Sequence, residues 1–532
     1  METDCIDFKD TGYFSKIILD YLAGNEALAP FYSYSPELDS FAEVIQKKHF
    51  SDENRQVLHA SLLNQYERDG IKLKRVETVA TNIQALAKSN TYTVTTGHQL
   101  SLFTGPLYFI YKIVSAIKLA RTLTKKHPDQ NFVPVYWMAT EDHDFVEVNH
   151  FNFQGKRYEW NSEQKGAVGR MKTEGLASVF EVFRTELTDY SSNAEELKNL
   201  FEKAYLKHDN LAAATRFLVN ELFAEYGLVI IDGDDVSLKT IFAPIVKKEL
   251  LTEFSSQHVA EQSAQLEKRY KIQVNPREIN LFYLSEGDRN RIVKEKGAYF
   301  VNDTSISFTE AEILEELEKH PENFSPNVLL RPVYQEAILP NLAYIGGGGE
   351  LAYWFQLKST FEAVEIPLPM MILRNSVMWM DAKQSKAFDK LDIKLQQLFL
   401  DEGVLTKKWV KQHSDHDLSL AEESKMNQQF FTELLQKAES IDVTLKAHVE
   451  AVQTKQQRAL TNLSEKLIRA ERRQQKEATD RIAFLKDTLF KNRGLQERQA
   501  NFSEVYLREG KGMIDDLLEE FEVPTQEFLL VR

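Results

Sequence analysis

The stretch from Thr91 to Asn149 limits the possible folds more than any other part of the chain. It reads TYTVTTGHQ, then LSLFTGPLYFIYKIVSAIKLARTLTKKH, then NFVPVYWMATEDHDFVEVN. The first piece alternates Thr, Val and Tyr, as a buried strand does, and Gly97 is expected to turn the backbone sharply. From Pro106 onward Ile110, Ile113, Val114, Ile117 and Ala120 follow helical spacing. Pro106 is tolerated in a first turn, where a missing N–H costs nothing. Val133 to Ala139 is a continuous apolar run, short enough for a strand buried on both faces. Strand, crossover helix and strand make a βαβ unit, which places both strand ends on one edge of a sheet. His98 follows the first strand, and Glu141-Asp142-His143-Asp144 follow the second. In open α/β sheets that carboxyl edge is where ligands bind.

The same rhythm returns later. Leu211 to Tyr226 reads as a helix stopped by Gly227, followed by a strand at Leu228–Ile231 and the acidic run Asp232-Gly233-Asp234-Asp235. Leu342–Ile345 and Met370–Leu373 are further apolar strands. Five strands alternating with helices predict an α/β fold with a doubly wound parallel sheet. Residues 1–90 read as a helical N-terminal layer, with Ser51 or Asp52 as an N-cap. Residues 91–385 read as the core, with insertions at about 150–208 and 257–325, the second holding a short helix capped by Thr309. Residues 386–532 read as α-helical.

Composition excludes several classes. The formal charge of −15 argues against general nucleic-acid binding. The single cysteine, Cys5, allows no intramolecular disulfide. No apolar run approaches the ~20 residues that span a bilayer, and METDCIDFKD does not open a signal peptide. A soluble, cytoplasmic protein without a membrane partner is expected.

Between Gly403 and Gly494 there is neither glycine nor proline. Ile441, Leu445, Val449, Val452, Ala459, Leu463, Leu467, Ala470, Ala478, Ile482 and Leu485 step mostly by three or four. This predicts one helix of roughly 50 residues, about 75 Å long, whose narrow apolar seam needs a partner helix. Leu418–Ala438 would cover it only by folding back, and no Gly or Pro marks a turn there. A second protomer is the simplest cover, so a homodimer through a coiled coil is expected.

Several clusters carry chemistry. Gly97-His98-Gln99 either lets a ligand approach the backbone, with His98 donating to developing charge, or is a tight turn around a partly buried histidine. Glu141-Asp142-His143-Asp144 is costly after a buried strand unless paired or useful. Its candidate roles are a general base, a holder of substrate hydroxyls or ammonium, or a metal ligand. Adjacent residues of an extended chain point in opposite directions, which favours His143 or Asp142, together with Asp144. Gly346–Gly349 before Glu350 resembles a backbone anion nest, without the Lys-Ser/Thr of a P-loop. Tyr353 and Trp354 either wall a pocket or face the core. His413 and His416 look metal-like by composition alone. With no HExxH and no cysteine pair, no dedicated metal site is expected.

Taken together, TTGHQLSLFTGPLYFIYK, PVYWMATEDHDFVEVNH and LLRPVYQEAILPNLAYIGGGGELAYWFQLK resemble the bacillithiol biosynthesis cysteine-adding enzymes (the BshC family), over essentially the whole chain. The resemblance implies a Rossmann-like core, like that of class I aminoacyl-tRNA synthetases, with inserted connecting segments and a coiled-coil dimer. It also implies a ligase that joins the carboxyl of L-cysteine to the amine of glucosaminyl-malate, the last step of bacillithiol biosynthesis. A free carboxylate must be activated to form an amide, so ATP or another nucleotide is expected as co-substrate; any metal requirement is open. The expected catalytic residues are His98, Asp142, His143 and Asp144. Gly97, Gln99, Gly347, Gly348, Glu350, Tyr353, Trp354 and Arg374 are expected to bind substrate, Arg374 pairing with a malyl carboxylate. A non-catalytic nucleotide-binding scaffold is the alternative.

Overall fold

The computed structural model describes residues 2–187 and 191–532. Five parallel strands form its central sheet: β1 (Thr91–His98), β2 (Asn131–Met138), β3 (Val229–Asp232), β4 (Asn341–Gly346) and β5 (Met370–Leu373). Their order across the sheet is β5-β4-β1-β2-β3. The chain therefore runs outward from β1 through β2 to β3, then restarts on the other side of β1 at β4. The doubly wound parallel sheet follows the expectation, with all five strands where the apolar runs lie. The strand order reverses between β1 and β4, and the crevice outside their carboxyl ends is the switch point where such sheets take ligands.

In β1 all residues but the last are buried, and its threonines are tolerated because each hydroxyl has a partner. Thr95 donates to Asn341 Oδ1 at 2.8 Å and Thr96 to the Ile345 carbonyl at 2.8 Å. The crossover helix α1 (Tyr108–Lys126) buries Ile110, Ile113, Val114, Ile117 and Ala120 against the core, each Ile or Val side chain contributing roughly 1.5–3 kcal/mol. The turn expected at Gly97 lies elsewhere. Gly97 is inside β1, and a Cβ there would meet the Tyr344 hydroxyl at 3.0 Å. Its missing side chain allows close approach of β4. The bend itself falls at Phe103-Thr104-Gly105, all with positive φ. Asn501 steadies it by donating to the Phe103 and Gly105 carbonyls at 2.7 and 2.6 Å.

Before β3, α2 (Leu211–Phe223) ends near Gly227, whose φ is +81°. After β3 comes α3 (Val236–Thr252). The region from Leu281 to Pro326 builds an antiparallel five-stranded sheet, at whose edge Thr309 closes a capping box with Glu312. The wholly helical reading of the chain ends is corrected. Thr3–Asp7 pairs antiparallel with Glu527–Val531, which runs parallel to Ser376–Trp379. Both chain ends thus share one small sheet beside the core.

The single long helix is corrected too. The chain folds back between α5 (Ala421–Ile441) and α6 (Leu445–Gln474), and a break at Gln475 separates α6 from α7 (Lys476–Leu489). Asp442 makes the turn without glycine or proline. Its carboxylate accepts the Thr444 N–H and hydroxyl, both at 2.8 Å, a side-chain mimic of a backbone turn. Phe431, Leu434, Leu435 and Ala438 of α5 then pack with Val449 of α6. An intrachain helix therefore covers part of the seam, and α7 buries Ile482 and Leu485 in the main core.

Candidate active site at the sheet switch point

A cavity of about 790 Å³ fills the crevice between the ends of β1 and β4, within the usual range for a small-molecule site. Its floor is a buried ionic network. Lys112 is the one cation in the otherwise apolar face of α1 and donates to Gly97 O and, at 2.6 Å, to Glu350 Oε2. The Tyr344 hydroxyl donates to the other oxygen of Glu350. Burial works to raise the Glu350 carboxyl, but Lys112 and Arg331 prevail and hold it below its ordinary range. Glu350 follows Gly346–Gly349 and sits at the N-terminus of α4 (Gly348–Trp354), where it also accepts the Gly347 N–H. The protein's own carboxylate thus takes one N–H of the expected anion nest. Gly346 serves packing instead, since a Cβ would lie 2.6 Å from Leu351.

His98 stacks flat on Tyr108, ring centroids 5.4 Å apart, and its buried Nε2 has no hydrogen-bond partner among the described residues. Burial first, then the Lys112 and Arg374 cations, hold it well below the ordinary histidine range, so it is neutral.

The four residues after β2 divide their directions. Glu141 turns down to an ion pair with Lys239 of α3, which also donates to the Phe324 carbonyl and so ties the inserted sheet to the core. Asp142 organises its own loop: Oδ1 accepts the His143 N–H at 2.7 Å, and Oδ2 accepts from Gln99 Nε2 at 2.7 Å. Gln99 donates to Glu147 as well. Asp142 and Gln99 line the cavity, yet each is engaged with the other. His143 lines the cavity, with Nδ1 2.8 Å from Arg289 Nη1 of the inserted sheet. Burial and then Arg289 keep its pKa below the ordinary value.

Three expected site residues lie outside the lining, and a fourth is pre-engaged. Asp144 is exposed at the start of the short helix Phe145–Val148. Gly348 packs toward Ile18. Trp354 is fully buried and stacks on Tyr344 at 4.2 Å, behind the cavity wall; Tyr353 does line it. Arg374 reaches the cavity, but its two Nη groups bind Glu497 at 3.0 and 2.7 Å. It is therefore not a free cation for a malyl carboxylate, because breaking a buried ion pair leaves an uncompensated charge. Away from the cavity, His413 stacks on Trp409 at 4.1 Å and accepts no role there. Among the described residues no three His, Cys, Asp or Glu side chains are grouped to hold a metal.

The sequence reading missed several cavity cations that lack carboxylate partners. Arg277 and Arg291 enter from the inserted region and Arg498 from the segment after α7, and all three line the cavity. Among the described residues none is within ion-pair distance of a carboxylate. Nothing local marked them; only Lys112 carried a signal, as a charge inside an apolar stripe.

Fold and site define a Rossmann-like α/β protein with a ligand-sized cleft at its switch point and a helical hairpin beyond it. Family models agree: "Bacillithiol biosynthesis BshC, N-terminal Rossmann-like domain" matches residues 1–375, and "Bacillithiol biosynthesis BshC, C-terminal coiled-coil domain" matches residues 377–532. A Flavobacterium johnsoniae protein named "Putative cysteine ligase BshC" is 48% identical over 100% of both chains. A Cytophaga hutchinsonii protein of the same name is 38% identical, covering 93% of this chain and 92% of that one. The chain belongs to the BshC family of bacillithiol biosynthesis. A solved structure described as an arginyl-tRNA synthetase from Campylobacter jejuni is similar at 9% identity, covering 85% of this chain and 98% of that chain, with a TM-score of 0.23. No helix among the described residues is long and apolar enough to cross a membrane.

Proposed function

We propose that the protein is a cysteine ligase that joins L-cysteine to glucosaminyl-malate, completing bacillithiol, with the cleft at the switch point as its active site. One observation carries this reading beyond family membership: the neutral His143 shares a cavity with Arg277, Arg291 and Arg498, cations without carboxylate partners. Such a cavity suits substrates rich in carboxylate and phosphate oxygens. The cysteine carboxyl must be activated, as an acyl-adenylate or acyl-phosphate, and ATP is the donor in this reading. Arg277, Arg291 and Arg498 are the candidates to hold its phosphates and the malyl carboxylates. Gly97 leaves room beneath the activated group, and His98 beside it supplies an unpartnered ring nitrogen. Glu350, held charged by Lys112, closes the second side.

The same reading includes a homodimer. Met426 and Phe430 on α5, with Val452 and Leu463 on α6, remain exposed on the hairpin, and a second copy of the hairpin would bury them.

The test is incubation of the purified chain with ATP, L-cysteine and glucosaminyl-malate, followed by mass spectrometry. The ligase reading expects product whose formation needs all three. Binding of nucleotide without product in any cofactor mixture would favour a non-catalytic scaffold.

A further inference from the structure

His143 lies on the core sheet's edge, but the residue that fixes its chemistry comes from the inserted sheet. Arg289 lies on the strand Asp288–Glu295. Its guanidinium lies 4.0 Å from the Phe282 ring centroid, and all three of its nitrogens are engaged. Nε donates to Ser325 Oγ at 3.0 Å, Nη2 to the Pro326 carbonyl at 2.8 Å, and Nη1 faces His143 Nδ1 at 2.8 Å. The same Phe282 ring packs against His143, centroids 5.3 Å apart. Arginine carries only donors and does not deprotonate in proteins. The ring nitrogen facing it must therefore accept, and in neutral imidazole the proton then resides on the other nitrogen.

We propose that Arg289 is a positioning residue that locks His143 as the Nε2–H tautomer, so that His143 meets the substrate as a neutral hydrogen-bond donor. This rests on the cleft being the ligase site. With Nδ1 engaged and Nε2 protonated, the ring has no free lone pair. It therefore does not take the proton from the attacking amine, in contrast to the general-base role open from sequence. Its partner is a substrate oxygen: a carboxyl or carbonyl that gains negative charge, or a hydroxyl. Every charged group facing the ring fits this balance. Asp142, with Oδ1 3.9 Å from Nδ1, and Asp144 favour the protonated form, while Arg289 and burial oppose it and prevail.

The test is nitrogen NMR on the full chain with ring-labelled histidine, using His143→Gln to assign the one resonance pair among 12 histidines. In the wild type, His143 should show an unprotonated Nδ1 and a protonated Nε2 at neutral pH. Arg289→Met should populate both tautomers and move the titration midpoint up by about one pH unit. It should lower kcat by about tenfold or more, with KM for either substrate changed less than about threefold. Arg289→Lys, which keeps one charged donor, should retain the wild-type tautomer and recover part of kcat, and it guards against a Met variant that misfolds. A wild-type His143 protonated on Nδ1, or an Arg289→Met protein with unchanged tautomer and midpoint, overturns the proposal. So does a variant whose tautomer changes while kcat does not. Absence of product from the wild type would refute the ligase reading alone, since the tautomer is read without turnover.

Discussion

His143 and Asp144 are neighbours in sequence and differ in surroundings. The His143 ring lines the cavity, whereas Asp144 stands exposed outside it. His143→Ala is expected to lower kcat by about 10²-fold, the usual scale for losing one hydrogen-bond donor to developing charge. Asp144→Asn should stay within about threefold of wild type, since losing an exposed carboxylate outside the cleft changes little. Steady-state assays of both variants check this, and equal losses would show that the whole loop acts as one. A second residue-scale expectation concerns Asp232 at the end of β3. Burial and then the Asp234 charge push its carboxyl up to about 6, although Thr140 donates to it. The folded state thus binds this proton more tightly than the unfolded chain, where Asp titrates near 3.9. Its contribution to stability is full below about pH 4 and is lost as pH rises through about 6. Asp232→Asn removes the penalty, so variant and wild type should diverge by up to about 3 kcal/mol between pH 4 and pH 7.5. Denaturant titrations at both pH values measure the difference; parallel curves would contradict it.

At the scale of elements, the sheet was readable because buried parallel strands are continuous apolar runs, and Leu228–Ile231, Leu342–Ile345 and Met370–Leu373 are such runs. The hairpin of α5 and α6 was not, because its turn uses Asp442 side-chain hydrogen bonds where glycine or proline would have been visible. That turn makes its own prediction. Asp442→Ala removes the acceptor for Thr444 and should cost about 1 kcal/mol, the usual value for a lost side-chain cap. Faster amide exchange across α5 and α6, with the central sheet unchanged, is the expected signature. Unchanged exchange would mean that the packing of Phe431 with Val449 holds the turn alone. The glycine run shows the opposite ambiguity. Its composition suggests an anion nest, and the structure gives one of its glycines to packing and the helix terminus to Glu350.

For the whole molecule, the hairpin leaves apolar side chains in water: Phe430 is 59% and Leu463 48% exposed. Exposed patches of this kind mark association surfaces. The wild type should sediment near twice 61.5 kDa. Phe430→Glu with Leu463→Glu should shift it toward one chain, because burying unpaired charges is unfavourable. A wild type that sediments as a monomer at micromolar concentration would refute the dimer.

Local pattern alone determined the five strands of the central sheet, the crossover helix, the placing of His98 and His143 at one sheet edge, and the family resemblance. Periodicity and strand-end position are properties of short windows, and one βαβ unit fixes which ends coincide. Only the tertiary structure decided what surrounds those residues. Arg289 reaches His143 across 146 positions and Arg374 reaches Glu497 across 123. Ion pairing and tautomer choice depend on distances of a few ångströms, which no window of sequence contains. The sequence therefore pointed to the edge of the sheet where the cleft lies. The packing of the inserted sheet and the C-terminal segment decided which of its groups are free to react and which are already engaged.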